Sequence, residues 1–374
     1  MSQGVKHDGP GLLLTPGPLT TSQRTRDAMG RDWGSRDGDF IALTARIRDR
    51  LTTLASAGTD YSCVPLQGSG TFAVEAMIAS FVPAGGKMLV AANGAYGQRI
   101  ATIGKRLGRE VHVADSPENA PTDIAGLRAA LAAHGPYSQV VAVHCETTSG
   151  VLNPLAEIAA ATRDHGAALL VDTMSAFGAI PVDMPSLGIS ALAASANKCL
   201  EGVPGVGFVI ARTSDLVSAK GCAASLSFDL HDQWQGFEKN GQWRFTPPTH
   251  VIAALDAALD QLAEEGGVAG RGARYKENCR RLVSGMRKLG FETLLDDADQ
   301  APIIVTFHMP QWPGFAFAPF YDALHQRGFV IYPGKITAAE TFRIGCIGAL
   351  TPADMDAAVA AVAAVLEEIG IQTP

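Results

Sequence analysis

The stretch Val64–Phe81 reads VPLQGSGTFAVEAMIASF and sets the pattern from which the architecture is predicted. It passes from an apolar run, Val64–Leu66, through the turn Gly68-Ser69-Gly70 into an amphipathic run, Thr71–Phe81. An apolar run, a glycine-rich turn and a helical period in this order predict a buried strand that leads into a helix. The same order recurs over the middle two thirds of the chain.

Further buried strands are predicted on the C-terminal side of this stretch, with Ala-rich helical windows such as Ile124–His134 and Leu155–His165 between them. Strands that read as continuous apolar runs and alternate with helices indicate a mainly parallel sheet covered on both faces. The predicted strands are Met88–Ala92, Glu110–Ala114, Val140–His144, Ala168–Asp172, Ala191–Ser195 and Gly207–Ala211.

The pattern changes after about Thr249, where two long helices, Val251–Glu265 and Ala269–Leu289, are separated by Gly266-Gly267. Shorter elements follow, which is typical of a smaller α+β unit. We therefore expect an N-terminal arm over residues 1–20, a large domain over 21–265 and a small C-terminal domain over 266–374. The later elements are predicted at Pro302–His308, Pro319–Arg327, Gly328–Tyr332, Phe342–Ile347 and Pro352–Ile369.

Composition excludes several classes of protein. The 374 residues carry 30 Lys and Arg against 37 Asp and Glu, a net charge of −7, which disfavours nucleic-acid binding but allows a local pocket for a small anion. No apolar run approaches the roughly 18 residues of a membrane-spanning helix, and Met1–Pro10 lacks the apolar core of a secretory signal. Six cysteines without a CxxC pair, and nine histidines without ligand spacing, predict free thiols and no metal site. A cytoplasmic protein that binds neither nucleic acid nor membrane is expected.

The turn Gly68-Ser69-Gly70-Thr71 is the first candidate for chemistry. Backbone N–H groups and hydroxyls at the start of a helix can converge on a phosphate. The turn is neither the GxGxxG dinucleotide fingerprint nor a P-loop, which needs GK[ST]. By itself it is equally typical of a glycine-rich connection between strand and helix.

Asp172 and Lys198 each follow an apolar strand. A carboxylate at the C-terminal end of a central parallel strand points into the crevice where such sheets bind ligands, although Asp172 could instead cap the next helix. Lys198 lies in Ser195–Cys199 among small residues, where burial and nearby cations would lower its pKa and make the amine nucleophilic. A solvated lysine is the alternative.

These three features together indicate pyridoxal phosphate (PLP). The lysine would form the covalent bond to the cofactor, and the acid would keep the pyridine nitrogen protonated so that the ring withdraws electrons. The hydroxyls and amides of the turn would hold the cofactor phosphate. The order of turn, acid and lysine is a stronger signal than any one of the three.

The sequence resembles the 2-aminoethylphosphonate–pyruvate transaminases, a branch of the group that includes alanine–glyoxylate and serine–glyoxylate aminotransferases. The resemblance runs from Leu12 to about Ile369. It implies the aspartate-aminotransferase-like α/β fold, with a mainly parallel seven-stranded sheet in the large domain and a smaller C-terminal α+β domain. The segments that carry it are LLLTPGPLTTS (Leu12–Ser22), PLQGSGTFAVEA (Pro65–Ala76), NGAYGQR (Asn93–Arg99), HCETTSGVLNP (His144–Pro154), VDTMSAFGA (Val171–Ala179), ASANKCLEGVPG (Ala194–Gly205), WRFTPPTH (Trp243–His250), YPGK (Tyr332–Lys335) and FRIGCIG (Phe342–Gly348).

The resemblance also implies roles for residues at matching positions. Lys198 would hold the cofactor and move the proton, Asp172 would pair with the pyridine nitrogen, and Tyr96 would stack on the ring. Thr148 would bind the phenolic oxygen or the ring edge. The phosphate would contact Ser69, Gly70, Thr71 and Asn197.

Other implied contacts come from further along the chain. Thr246 and Thr249 would reach the phosphate of a neighbouring subunit, so the resemblance implies a homodimer with active sites at the interface. Arg343, a cation in an apolar strand, would grip a carboxylate or phosphonate with two parallel bonds. The turn that contains Thr15 and Gly17 resembles a loop that helps to close the site.

One departure concerns Arg36, which stands where related transaminases are expected to have an aromatic residue. It reads as a surface variant, or as an added cation near the entrance that changes the preferred anion. Cys199 reads as a small apolar core residue. Cys346 raises the alternative of a cysteine desulfurase with a mobile-loop cysteine, but its place in a predicted strand argues against this.

The expected activity is PLP-dependent transfer of the amino group of 2-aminoethylphosphonate to pyruvate, giving phosphonoacetaldehyde and L-alanine in phosphonate degradation. The near alternative is an alanine- or serine–glyoxylate transaminase. An alternative of another class is a dinucleotide-binding oxidoreductase built on Gly68-Ser69-Gly70. A non-catalytic PLP-binding regulator is disfavoured, since no DNA-binding module or basic arm is visible.

Overall fold

The computed structural model describes residues 11–337 and 339–372. Two expectations concern Met1–Pro10 and lie outside the described residues: the lack of a secretory signal and the first half of the predicted arm. No helix in the described ranges is both long enough and apolar enough to cross a membrane.

The described part of the chain forms fourteen strands: β1 (Leu12–Leu13), β2 (Tyr61–Gln67), β3 (Lys87–Ala92), β4 (Glu110–Asp115), β5 (Gln139–Val143), β6 (Cys145–Glu146), β7 (Val151–Leu152), β8 (Ala168–Asp172), β9 (Ile189–Ser195), β10 (Val206–Arg212), β11 (Ile304–His308), β12 (Phe329–Val330), β13 (Tyr332–Pro333) and β14 (Thr341–Gly345).

Thirteen α-helices accompany these strands within the same ranges: α1 (Gln23–Asp27), α2 (Gly38–Leu54), α3 (Gly70–Phe81), α4 (Ala95–Arg106), α5 (Ile124–His134), α6 (Leu155–Asp164), α7 (Met184–Leu187), α8 (Thr213–Ser218), α9 (Leu230–Asn240), α10 (Thr249–Glu264), α11 (Gly267–Lys288), α12 (Phe317–Gln326) and α13 (Pro352–Glu368).

The main sheet has seven strands in the order β2-β10-β9-β8-β5-β3-β4, which confirms the predicted α/β class and the mainly parallel seven-stranded sheet. In this sheet β10 alone runs opposite to the other six strands. It follows β9 after a short connection, residues 196–205, whereas parallel neighbours need a longer crossover, usually helical. The strand direction changes from β9 to β10 and again from β10 to β2, so β2 points the same way as β9. The carboxyl ends of β2, β9, β8, β5 and β3 therefore meet at one edge of the sheet.

Two large apolar cores divide the molecule. The first surrounds the seven-stranded sheet, where α3 packs on β9 and β10 and α6 packs on β8. The second joins the three-stranded antiparallel sheet β11-β14-β13 to α11, α12 and α13. The start of the described chain belongs to this second core, because β1 pairs in parallel with β12 and Leu14 is buried there. The domain boundaries at residues 20 and 265 stay predictions.

Candidate active site

The site lies at the carboxyl edge of the main sheet, where three adjacent parallel strands each end near an ionisable side chain. Asp172 is the last residue of β8, and it lies opposite Val143 of β5 and Ala193 of β9. Glu146 comes three residues after the end of β5, and Lys198 three residues after the end of β9. The parallel register therefore brings together two side chains that are far apart in sequence and adds a third, Glu146.

Lys198 is held by the N-terminal loop. Its Nζ donates to the carbonyl of Pro16 at 2.6 Å and to that of Gly17 at 3.4 Å. Gly17 has φ +107°, and a Cβ there would lie 2.7 Å from Cδ of Lys198 and 2.8 Å from the carbonyl oxygen of Asn197. Only glycine fits this approach. The structure thus brings Gly17 and Asn197 to the lysine. Thr15, two residues before Gly17, is buried, and its hydroxyl donates to the Pro18 carbonyl.

Burial lowers the pKa of Lys198 to about 8. Neighbouring charges act in both directions: Cys199 and Asp172 raise the pKa, and Lys335 and Arg343 lower it. An amine with this pKa is neutral in a substantial fraction of molecules near physiological pH, and the neutral form is the nucleophile.

Asp172 is buried, and its Oδ1 accepts a hydrogen bond from the backbone N–H of Met174 at 2.9 Å. Burial raises its pKa to about 6, while the Met174 hydrogen bond opposes the rise. A cationic donor placed against this carboxylate would keep it ionised. His144 lies beside it on the sheet edge, donating its backbone N–H to the Asp172 carbonyl at 2.8 Å. Burial lowers the pKa of His144 to about 4, so its imidazole is neutral.

Glu146, which was not predicted from the sequence, organises two of the predicted cofactor contacts. Its Oε2 accepts from the Tyr96 backbone N–H at 3.1 Å, and its Oε1 accepts from the Thr148 hydroxyl at 2.6 Å and from its N–H at 3.2 Å. The side chain is buried, and burial raises its pKa. A signal was available, since Glu146 closely follows a predicted apolar strand, as Asp172 ends one.

The predicted phosphate turn opens α3. Ser69 is the N-cap residue, and its side chain makes no capping bond to the N–H groups at the start of the helix. A Cβ at Gly70 would lie 2.2 Å from Sδ of Met174, so glycine lets the helix start approach the loop that follows Asp172. The hydroxyl of Thr71 accepts from Nη1 of Arg99 at 3.2 Å, and the Arg99 guanidinium lies 4.8 Å from the centre of the Tyr96 ring.

Arg343 lies in β14 and is 2% exposed. Its Nε donates to the Pro333 carbonyl at 3.1 Å and its Nη1 to the Thr147 carbonyl at 2.9 Å. Neither partner is charged, and no described carboxylate forms an ion pair with it. Burial lowers the pKa of Arg343, and the nearby Glu146 is among the groups that raise it. The guanidinium remains a cation because its ordinary pKa is so high.

Some predicted residues do not join this group. Thr246 is exposed and Thr249 is partly exposed; the carbonyl of Thr246 accepts from Nε2 of Gln67 at 2.8 Å. Neither hydroxyl contacts the Lys198 loop of its own chain. Arg36 is exposed and has no ion pair with any described residue.

The cysteines near the site are structural. Cys199 is fully buried and its Sγ donates to the Ser175 carbonyl at 3.2 Å. Cys346 directly follows β14 and is also fully buried, with its backbone N–H bonded to the Ile303 carbonyl at 2.9 Å. A thiol in this position is not on a mobile loop. Within residues 11–337 and 339–372, no group of three acidic, histidine or cysteine side chains is placed to hold a metal ion.

Relatives with assigned names are similar over nearly the whole chain. A protein of Burkholderia lata named 2-aminoethylphosphonate–pyruvate transaminase 2 is 54% identical over 361 residues, covering 96% of each chain. A 2-aminoethylphosphonate–pyruvate transaminase of Pseudomonas fluorescens is 52% identical over 360 residues, covering 96% of this chain and 98% of the relative.

Solved structures agree on the fold. The ureidoglycine–glyoxylate aminotransferase of Bacillus subtilis has a TM-score of 0.89 at 22% identity and covers 98% of this chain and 96% of its own. The pyridoxamine–pyruvate aminotransferase of Mesorhizobium loti has a TM-score of 0.89 at 25% identity, covering 98% and 94%. The sequence model of the class-V aminotransferase family matches residues 22–348 of this chain. The chain therefore belongs to the class-V aminotransferases, a family of enzymes whose cofactor is pyridoxal phosphate.

Proposed function

We propose that this aminotransferase transfers the amino group of 2-aminoethylphosphonate to pyruvate, giving phosphonoacetaldehyde and L-alanine. The observation that carries the proposal is the buried guanidinium of Arg343, which has no described carboxylate partner and influences the pKa of Lys198. An unpaired buried cation favours an anionic substrate group. The names of relatives at 52–54% identity support the choice of substrate.

The residues at the sheet edge fit PLP. The uncapped start of α3 supplies backbone N–H groups for a phosphate, and a Cβ at Gly70 would obstruct its approach to Met174. The buried carboxylate of Asp172 suits a protonated ring nitrogen, which would offset the burial that now raises its pKa. When bound, PLP supplies an electron-withdrawing ring that stabilises negative charge at the carbon bonded to the donor nitrogen.

Lys198 is proposed to hold the cofactor covalently and to move the proton. Its pKa near 8 allows the amine to accept a proton from the amino-bearing carbon of the donor and to return one later. Glu146 positions Thr148 and Tyr96 for contacts with the ring, because one carboxylate accepts hydrogen bonds from both residues. Asn197 would contact the phosphate from beside the lysine.

Arg343 is proposed to bind the anionic end of each substrate. Two of its five N–H groups are occupied by carbonyl oxygens, which orient the guanidinium without neutralising it. The remaining donors suit two oxygens of a carboxylate or phosphonate. Thr15 and Gly17 would close this end of the site from the N-terminal loop.

A homodimer with shared active sites is part of the proposal. Thr246 and Thr249 lie at the surface of their own chain, where they are free to contact a second subunit. Size-exclusion chromatography with light scattering would give the mass of a dimer; a monomer with full activity would contradict this part. We also place the enzyme in the cytoplasm, which suits its six free thiols.

The test is an assay of the purified protein with 2-aminoethylphosphonate and pyruvate, with L-alanine or L-serine and glyoxylate, and, with NAD(P), with simple alcohols. We expect alanine and phosphonoacetaldehyde to form from 2-aminoethylphosphonate with the highest kcat/KM. Borohydride treatment is expected to fix the cofactor on Lys198, as detected by mass spectrometry. No turnover of 2-aminoethylphosphonate, with turnover of L-serine and glyoxylate, would replace the proposed substrate pair.

A further inference from the structure

The anionic group of the proposed donor carries more negative charge than that of the acceptor. A phosphonate becomes a dianion near neutral pH, whereas pyruvate has a single carboxylate charge. One guanidinium balances a carboxylate but leaves half of a phosphonate dianion unbalanced in a partly buried site. A second cation close to Arg343 would therefore distinguish the two substrates.

Lys335 is the candidate, because it closely follows β13, the strand that pairs with the strand of Arg343. In the three-stranded sheet, Tyr332 of β13 lies opposite Arg343 of β14, and the Pro333 carbonyl accepts from Arg343 Nε at 3.1 Å. The Gly334 N–H then bonds to the Thr341 carbonyl at 2.8 Å, and a Cβ at Gly334 would lie 2.0 Å from Thr341 Oγ1. Lys335 comes directly after this pairing, two residues from Pro333, whose carbonyl accepts a hydrogen bond from Arg343.

The segment that carries Lys335 is anchored on its other side. The backbone N–H and the hydroxyl of Thr337 both donate to Oε2 of Glu118, at 2.7 and 2.9 Å. Glu118 belongs to the connection between β4 and α5 of the main-sheet region. The segment thus spans from the small sheet to the region that bears Lys198, and its contact with Glu118 is made by Thr337 rather than by Lys335.

The charge around Lys335 is unbalanced. Its side chain forms no ion pair with a described carboxylate, although it is exposed enough to turn toward one. Partial burial, then the charges of Arg343 and Arg99, lower its pKa, and Glu146 opposes them. Lys335 and Arg343 in turn lower the pKa of Lys198, so both cations act on the reacting amine. Two like charges near each other repel, and an anion that joins them relieves this repulsion.

We propose that Lys335 is a specificity-determining residue that provides the second positive charge for a phosphonate dianion, alongside Arg343. This inference rests on the proposed function. The ammonium would bind the third phosphonate oxygen, which a carboxylate lacks. Lys335 therefore contributes to the binding of the amino donor and little to the binding of pyruvate.

The experiment compares the wild-type holoenzyme with Lys335→Gln, Lys335→Arg and Lys239→Gln, the last being a matched loss of an exposed lysine on α9. Each half-reaction is followed separately by cofactor absorbance, and the affinities of ethylphosphonate and propionate are measured by calorimetry. We expect Lys335→Gln to lower kcat/KM for 2-aminoethylphosphonate and the affinity for ethylphosphonate about tenfold. Values for pyruvate and propionate are expected to change less than about threefold.

Lys335→Arg is expected to recover kcat/KM for 2-aminoethylphosphonate and the affinity for ethylphosphonate, and Lys239→Gln is expected to change neither. If Lys335→Gln lowered the affinities for ethylphosphonate and propionate equally, or lowered neither, the inference would be overturned. A wild-type protein that does not use 2-aminoethylphosphonate would instead refute the proposed function. In that case the calorimetric comparison still tests Lys335, because a preference for ethylphosphonate over propionate that survives in Lys335→Gln contradicts its role.

Discussion

Two groups of buried or partly buried cations differ in what balances their charge. The first, here called the ion-pair network, joins Arg271 and Arg274 of α11 to Glu201, Glu265 and Tyr275. Arg271 Nε and Arg274 Nε each bond to Glu265 at 2.6 Å, and Arg274 Nη2 and the Tyr275 hydroxyl bond to Glu201 at 2.7 and 2.6 Å. Each charged group has an opposite charge beside it.

The second group consists of the buried Arg343 and the mostly exposed Lys335, and neither forms an ion pair with a carboxylate among the described residues. Burial of a cation is costly unless an anion and hydrogen bonds compensate it. In the ion-pair network the fold provides that compensation; around Arg343 it provides only carbonyl oxygens. A buried cation with a carboxylate partner is therefore expected to contribute to stability, whereas a buried cation without one is a candidate for binding an anionic ligand.

The largest effect is expected at Arg343. Arg343→Gln is predicted to lower kcat/KM for both 2-aminoethylphosphonate and pyruvate by about 10²- to 10³-fold, because each substrate loses a buried, charge-assisted contact. Thermal stability is predicted to change little, since the variant also removes an uncompensated buried charge. Steady-state kinetics and differential scanning calorimetry measure the two quantities.

Arg343→Lys keeps the charge but loses the planar fork, so it is expected to recover only part of the activity. If Arg343→Gln instead lost as much stability as a variant of the ion-pair network, Arg343 would have a structural role. The distinction between the two groups of cations would then be wrong.

The next effect concerns Glu201 of the ion-pair network. Glu201→Gln leaves Arg274 and Arg271 short of one negative charge in a buried setting, so the free energy of unfolding is expected to fall by about 3 kcal/mol. The midpoint of urea unfolding measures it. The matched control is Asp164→Asn, which breaks the exposed Arg128–Asp164 pair of 2.8 Å and is expected to leave the midpoint almost unchanged. Equal shifts in both variants would refute the distinction.

The smallest effect is a pH shift at Lys198. Burial lowers its pKa to about 8, so the rate at which PLP attaches to the apoprotein is expected to rise about tenfold per pH unit below pH 8 and to level off above it. Lys335 contributes to this lowered pKa. Lys335→Gln is therefore expected to move the profile to higher pH, as followed by stopped-flow absorbance, and Lys239→Gln is expected to leave it in place.

Much of the fold was predictable from sequence because its strands are short apolar runs separated by clear breaks. Ala168–Asp172 and Ile124–His134 are observed with the predicted bounds, and the strand predicted at Gly207–Ala211 is observed as Val206–Arg212. The reversal of β10 was not predicted, since periodicity carries no information on strand direction. The helix α9 was also missed: Leu230–Asn240 mixes Trp and Phe with seven polar or charged positions and shows no simple apolar run.

The site was predictable only in part. Asp172 and Lys198 stand at strand ends, where parallel topology itself places functional groups. Glu146 also follows a predicted strand and could have been assigned in the same way. Lys335 and the partners of Arg274 could not, because their roles depend on contacts between distant segments. The proposed cofactor and substrate contacts of Ser69, Thr71, Thr246 and Thr249 stay predictions.

Glu201 has a consequence for the length of substrate that the enzyme accepts. It lies three residues after Lys198, and Arg274 connects its carboxylate to the carbonyls of Gly348 and Leu350, just beyond the strand of Arg343. The helix α11 thus connects the loop of Lys198, the proposed reacting amine, to the strand of Arg343, the proposed anion-binding group. The distance between Lys198 and Arg343 is therefore expected to select substrates by length. An aminophosphonate one methylene shorter or longer than 2-aminoethylphosphonate would not place its amino group correctly while its phosphonate is bound.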